Sequence, residues 1–228
     1  MSDAAPNAEL FRSLARLARG LSALFWGLPA ALIACAELVR VDSLTPSGVA
    51  PALAVNALLL YGLRQMGGFQ KQERAWRHAL DRARLPAVVN LGLCPFLYWH
   101  NKMPEQLFFT VAVLLLIFSA VLFLFALNLV LKQLGAMLPD ENLRQETRQF
   151  TALNRWLLVA WLAVIALAVL VPQFSDLPAR VGAKNWFWLQ RGELVVFLFL
   201  GLSPLAMTMA LLWKAKEAIL DSVFSARN

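Results

Sequence analysis

The sequence predicts an all-α integral membrane protein with six transmembrane helices joined by amphipathic cytoplasmic helices. Of its 228 residues 60% are hydrophobic and 15% are charged, and the mean hydropathy is +0.61, a balance typical of chains whose solvent is largely lipid. The chain also contains six apolar runs of roughly 20 residues, the length that crosses a bilayer core about 30 Å thick. Because lipid offers no water to unpaired backbone groups, such runs must be helices.

The order of apolar and charged segments predicts each element in turn. Residues 1–20 predict a cytoplasmic amphipathic helix that lies at the membrane surface. Residues 21–213 form the predicted transmembrane domain, and residues 214–228 form a cytoplasmic tail. The six predicted spans run from about 21–41, 48–66, 85–101, 105–131, 153–172 and 193–213.

The distribution of lysine and arginine predicts the orientation. With a cytoplasmic amino terminus, 16 of the 21 Lys and Arg residues lie in cytoplasmic segments. Because basic residues concentrate on the cytoplasmic side, both termini are predicted to be cytoplasmic, in a bacterial inner membrane. Topology and attraction to anionic lipid then explain the net charge of +7. The basic residues do not alternate with aromatic residues, so this pattern does not indicate nucleic-acid binding.

The first span carries two further patterns. Residues 32–35, LIAC, resemble the lipobox of bacterial lipoproteins, and cleavage there would leave five spans. The long segment before the run, which contains acidic residues, favours an uncleaved span. Small side chains recur at every fourth position and predict close packing against another helix, namely Ala23, Gly27, Ala31 and Cys35.

Glycine and proline predict where the cytoplasmic helices end and begin. LRQMGG at 63–68 and LKQLGA at 131–136 both end in glycine after an apolar run, which indicates helix ends. Asp140 follows Pro139 and predicts an N-cap. The helix that opens there could run unbroken into the fifth span.

Polarity inside the spans predicts which helices are central. Asn56, Asn90 and Asn128 lie within apolar runs, and each amide needs a partner, so these residues are expected to face protein. The fourth and fifth spans are almost uniformly apolar, and they are predicted to lie on the lipid-exposed side.

Two similar motifs, LGLCP at 91–95 and LGLSP at 200–204, place proline inside the third and sixth spans. Proline removes a backbone donor and predicts a kink. Kinked helices at matching positions of two inverted three-helix repeats mark midplane sites in many transporters. Simple packing kinks within three tandem hairpins explain the same motifs. The candidate site comprises Asn90, Cys94, Pro95, Ser203, Pro204 and Thr208.

The motifs of common enzymes are missing from the sequence. It has no GxxxxGK[ST], HExxH or CxxC motif, and its two histidines have no partners at catalytic spacing. No cofactor, metal site or catalytic residue is predicted. The expected function is a small solute or ion transporter, or a membrane subunit of one. A non-catalytic accessory subunit that docks another membrane protein or a second copy is the alternative, and a lipid-modifying enzyme comes third. In size and span count alone, the chain resembles the substrate-binding subunits of energy-coupling-factor transporters.

Overall fold

The computed structural model describes residues 4–40, 48–70, 72–103, 105–137, 141–174, 199 and 201–220. Within these ranges all regular structure is helical, so the predicted all-α class is confirmed. The helices are Ala4–Arg40 (α1), Val49–Met66 (α2), Arg74–Leu93 (α3), Phe96–Lys102 (α4), Leu107–Met137 (α5), Glu141–Phe174 (α6) and 201–220 (α7).

Four helices in the described ranges are long and apolar enough to cross a membrane. Large apolar side chains on their surfaces are exposed, and Leu107 on α5 is 77% exposed. Apolar exposure on this scale is typical of surfaces that contact lipid or another protein. The structure is therefore consistent with a membrane protein. The membrane-compatible segments are Arg12–Leu38, Val49–Met66, Leu107–Met137 and Arg144–Ala166.

The predicted third span, 85–101, is not one helix. α3 begins at Arg74, continues from its charged stretch directly into the apolar one, and ends at Leu93. α4 begins after Pro95, whose ring clashes with the preceding turn and whose nitrogen cannot donate. Because charged residues occupy the first half of α3 and proline ends the second, neither helix contains a long apolar window.

Both ends of the predicted transmembrane domain lie within longer helices. The sixth predicted span, 193–213, lies partly outside the described residues, and its remainder belongs to α7, which is described to residue 220. α1 continues through both Gly20 and Pro29, so the predicted amphipathic helix and the first span are parts of one helix. α6 is continuous into the predicted fifth span, as expected; Asp140 lies outside the described residues.

α5 occupies the centre of the fold. It packs along α3 and also contacts α4 and α6, and buried residues recur along it from Ala112 to Gly135. The opposite face of α5 exposes large apolar side chains, among them Leu107, Leu115 and Leu122, so this helix is both a packing centre and an exposed apolar surface. Composition alone does not separate the two faces of a helix that is apolar on all sides. α6 exposes Leu153, Trp156 and Val159, in agreement with the prediction for the fifth span.

Candidate functional site

A buried polar cluster joins three helices. Asn128 on α5, Asn154 on α6 and Thr208 on α7 are each at most 3% exposed. The side-chain amides of Asn128 and Asn154 donate to the Thr208 hydroxyl at 3.1 and 3.0 Å. The hydroxyl itself donates to the backbone carbonyl of Pro204 at 2.7 Å. One hydroxyl group therefore links α5, α6 and α7.

Backbone carbonyls accept the remaining amide hydrogens of this cluster. Asn154 Nδ2 also reaches the carbonyl oxygen of Pro204 at 3.2 Å, and Asn128 Nδ2 donates to the carbonyl oxygen of Leu124 at 2.8 Å. A buried amide or hydroxyl without a partner is costly in an apolar environment. These bonds therefore stabilise the contact among the three helices.

The cluster retains two unused acceptors. The Oδ1 atoms of Asn128 and Asn154 are buried and have no hydrogen-bond partner in the described structure. Native proteins pair nearly all buried polar atoms with protein groups or water. These two oxygens are therefore positions at which a bound solute or a water molecule could donate a hydrogen bond.

A cavity of about 170 Å³ lies beside this cluster, between α5 and α6. Its lining residues recur at intervals of three, four and seven positions, which places them on one face of each helix. Asn128 belongs to both the cluster and the cavity wall. The lining residues are Phe125, Asn128, Leu129 and Lys132 on α5, and Arg148, Thr151, Ala152, Arg155 and Leu158 on α6.

The cavity is positively charged. Lys132, Arg148 and Arg155 line it, and no acidic residue does. The ion pairs found among the described residues lie elsewhere: Arg84 pairs with Asp81, and Lys214 pairs with Glu146. The three cavity cations are therefore uncompensated within the described part of the chain, and the arrangement suits an anion.

The structure separates the residues of the predicted site into two groups. Pro204 and Thr208 belong to the polar cluster, and Ser203 is half-buried one residue before Pro204. Cys94 is buried in a different cluster, among residues of α1, α2 and α5 that include Leu38 and Leu116.

Asn90 and Pro95 lie on the α3–α4 side of the fold. Asn90 is buried on α3, its Oδ1 atom lacks a hydrogen-bond partner in the described structure, and Pro95 marks the break between α3 and α4. The two proline motifs also differ, because α7 continues through Pro204 whereas α3 ends before Pro95.

Sequence reasoning missed the contribution of α6 to the cluster. Thr147, Thr151 and Asn154 are all buried, and their spacing of four and three residues places them on one helix face. This polar stripe within the charged stretch of 140–155 was the available signal. The charges of this stretch instead predict an amphipathic connecting helix whose polar residues face solvent or the membrane interface.

Small residues of the first span contact the helices that pack against α1. A Cβ atom on Gly27 would lie 2.7 Å from a side-chain carbon of Leu59 on α2. Ala31 packs against the main core, and Cys35 packs against the cluster that contains Cys94. Ala23 is half-buried on the same helix.

No group of three His, Cys, Asp or Glu residues is placed to hold a metal ion in the described part of the chain. The described polar chemistry is instead that of amides, hydroxyls and uncompensated cations.

Comparisons with known proteins do not assign the chain to a family. No protein-family model matches it, and no curated protein or solved structure is significantly similar.

Proposed function

We propose that the chain is a polytopic membrane protein with six spans and both termini in the cytoplasm. Four membrane-compatible helices support this topology. The two remaining spans of the proposal, the third and the sixth, are the broken pair α3–α4 and the segment 193–213, which ends in α7. The concentration of Lys and Arg in segments on one side supports the orientation.

We further propose that the protein transports a small solute or an ion, or is a membrane subunit of such a transporter. The observation that carries this proposal is the polar cluster of Asn128, Asn154 and Thr208, with its two unused carbonyl oxygens. Polar groups inside a membrane are costly and usually mark a solute pathway or a helix contact. Because native proteins pair nearly all buried polar atoms, two unused acceptors in one cluster favour a bound solute there.

Uptake into liposomes tests this function. Purified protein reconstituted into vesicles should accumulate at least one of radioactive sodium, phosphate or a neutral amino acid above the level of empty vesicles. Replacing Asn154 by Leu should abolish that uptake, whereas Thr110→Val, at the outer end of α5, should not change it. Intact protein that moves none of the three solutes in a sealed vesicle would contradict the proposal.

A second candidate function is an accessory subunit of a larger membrane complex. The cytoplasmic half of α3 presents exposed charged residues, including Arg74, Arg77 and Arg82, that make no ion pair in the described structure. Such a surface suits an acidic cytoplasmic partner. Extraction from native membranes in a mild detergent would favour this function if a second protein co-purified in fixed stoichiometry and the isolated chain showed no uptake.

A further inference from the structure

We propose that the groove between α5 and α6 binds an anionic phospholipid, whose phosphate is held by Lys132, Arg148 and Arg155. The proposal depends on the membrane placement given above, and it does not depend on transport. A transporter and an accessory subunit would present the same lipid site.

The order of residues along the groove matches the polarity of a phospholipid. On α5, Phe125 and Lys132 lie seven residues apart, and on α6, Leu158 and Arg148 lie ten residues apart. At about 1.5 Å per residue, the basic ends of the groove are displaced from the apolar ends by roughly 10 to 15 Å. In the proposed topology the basic ends are cytoplasmic and the apolar ends point into the membrane. A lipid with its phosphate at the interface and its acyl chain in the core fits this gradient.

The charge of the groove favours an anion. Three exposed cations line one cavity without an acidic neighbour in its lining, and a negative group bound among them would reduce their mutual repulsion. Basic pockets between helices on the cytoplasmic side are known features of anionic-lipid recognition. Arg155 lies roughly 10 Å deeper along α6 than Arg148 and three residues before Leu158, and its long side chain can extend toward the interface.

The lipid to test is phosphatidylglycerol. Its headgroup carries a negative phosphate and no cation, so it matches a groove that is lined by cations and by no acidic residue.

Lipid binding is measured on the full-length protein in detergent after delipidation. Native mass spectrometry should show one retained phosphatidylglycerol at concentrations where phosphatidylcholine is not retained. The temperature of the thermal unfolding transition should rise more with phosphatidylglycerol than with phosphatidylcholine. Each charge removed in Lys132→Gln, Arg148→Gln and Arg155→Gln should weaken binding about fivefold. The triple variant should lose the preference.

A matched control removes the same charge outside the groove. Arg74→Gln, Arg77→Gln and Arg82→Gln together change three exposed cytoplasmic cations on α3 and should leave the lipid preference intact. An equal loss of lipid preference in this control would overturn the proposed site, because it would show that the lipid is attracted by the net charge of the protein alone. A stabilisation reproduced in full by inorganic phosphate would overturn the lipid assignment in favour of a small anion. If the triple variant does not fold, the three single variants give the same comparison, and wild-type affinity in all three would overturn the proposal.

Discussion

Gly20 and Gly62 face each other at a close contact between α1 and α2. A Cβ atom on Gly20 would lie 2.7 Å from the carbonyl oxygen of Gly62, and one on Gly62 would lie 3.0 Å from the carbonyl oxygen of Gly20. In both cases one of the nearest atoms is backbone, which cannot move aside as a side chain can. The packing of the first two helices therefore depends on two missing side chains.

Replacing Gly20 by Ala should destabilise the protein by about 1 to 3 kcal/mol, because the added methyl group must separate the two backbones. Unfolding in mixed micelles, followed by tryptophan fluorescence, measures the change. Gly92→Ala is the control, since a Cβ atom there has no neighbour within 4 Å, and alanine is the better helix former. Equal stability of the Gly20→Ala variant and the wild type would show that α1 and α2 are not so close.

Thr208→Val should destabilise the contact among α5, α6 and α7. Valine preserves the shape of threonine but leaves the amides of Asn128 and Asn154 without their shared acceptor, at a cost of about 1 to 3 kcal/mol. Thr110→Val, which removes an exposed hydroxyl bonded within its own helix, should change the free energy of unfolding much less. If the two substitutions had equal effects, the cluster would not join the helices.

Arg84 and Gly67 should be energetically coupled. The Arg84 guanidinium donates to the carbonyl oxygen of Leu63 at 3.4 Å, at the carboxyl end of α2, where a positive charge is favourable. A Cβ atom on Gly67 would collide with that guanidinium. Gly67→Ala should therefore cost about 1 kcal/mol in the wild type and less in the Arg84→Met background, as measured in a double-mutant cycle. Gly68→Ala is the control, because its Cβ would make contacts of ordinary length.

Oxidative crosslinking should distinguish the two proline motifs. Cys35 and Cys94 pack in the same cluster, at the end of α1 and the end of α3. A disulfide requires Cα atoms within about 7 Å, so the wild type should form an internal bond when copper phenanthroline is added, seen by mass spectrometry. A Cys35→Ser, Ser203→Cys variant should not crosslink to Cys94, because α7 lies against α6 at Gly201 and Trp161. A crosslink in this variant would instead support the inverted-repeat arrangement, in which the third and sixth spans meet.

Cysteine labelling in intact cells tests the proposed topology. In a background that lacks the native cysteines, new cysteines within 70–80 and 140–150 should react only after the cells are permeabilised, and those within 42–47 and 175–185 should react directly. The basic residues favour this orientation. Direct labelling within 140–150 would contradict the six-span proposal. Intact-mass measurement separately tests whether the residues before Cys35 are retained.

The sequence predicted the burial of particular side chains better than the arrangement of whole helices. Asn56, Asn90 and Asn128 were expected to face protein, and all three are buried. An amide inside an apolar helix strongly favours contact with protein over contact with lipid. The sequence of α5 does not show in the same way which of its faces is buried. Its residues are nearly all apolar, so its position depends on how its side chains fit against the neighbouring helices.

The polar cluster shows a second limit of sequence reasoning. Thr208 and Asn128 could be singled out because each interrupts an apolar run, but Asn154 lies at the end of a charged stretch of the sequence. Only the direction of its side chain distinguishes it from the polar residues of that stretch. The unbroken passage of α6 from its charged stretch into its apolar stretch determines that direction, and the pairing across 54 residues with Thr208 is a property of the fold.

The composite character of α3 has a consequence for how the protein is made. Its apolar half is short, follows many charges and ends at a proline, so the translocation machinery would receive a weak signal to release it into lipid. Its main packing partner, α5, leaves the ribosome later. Ser119 on α5 even donates to the carbonyl oxygen of Pro86 on α3 at 3.2 Å. In the proposed six-span topology, α3 is therefore expected to enter the bilayer together with α5 and not before it.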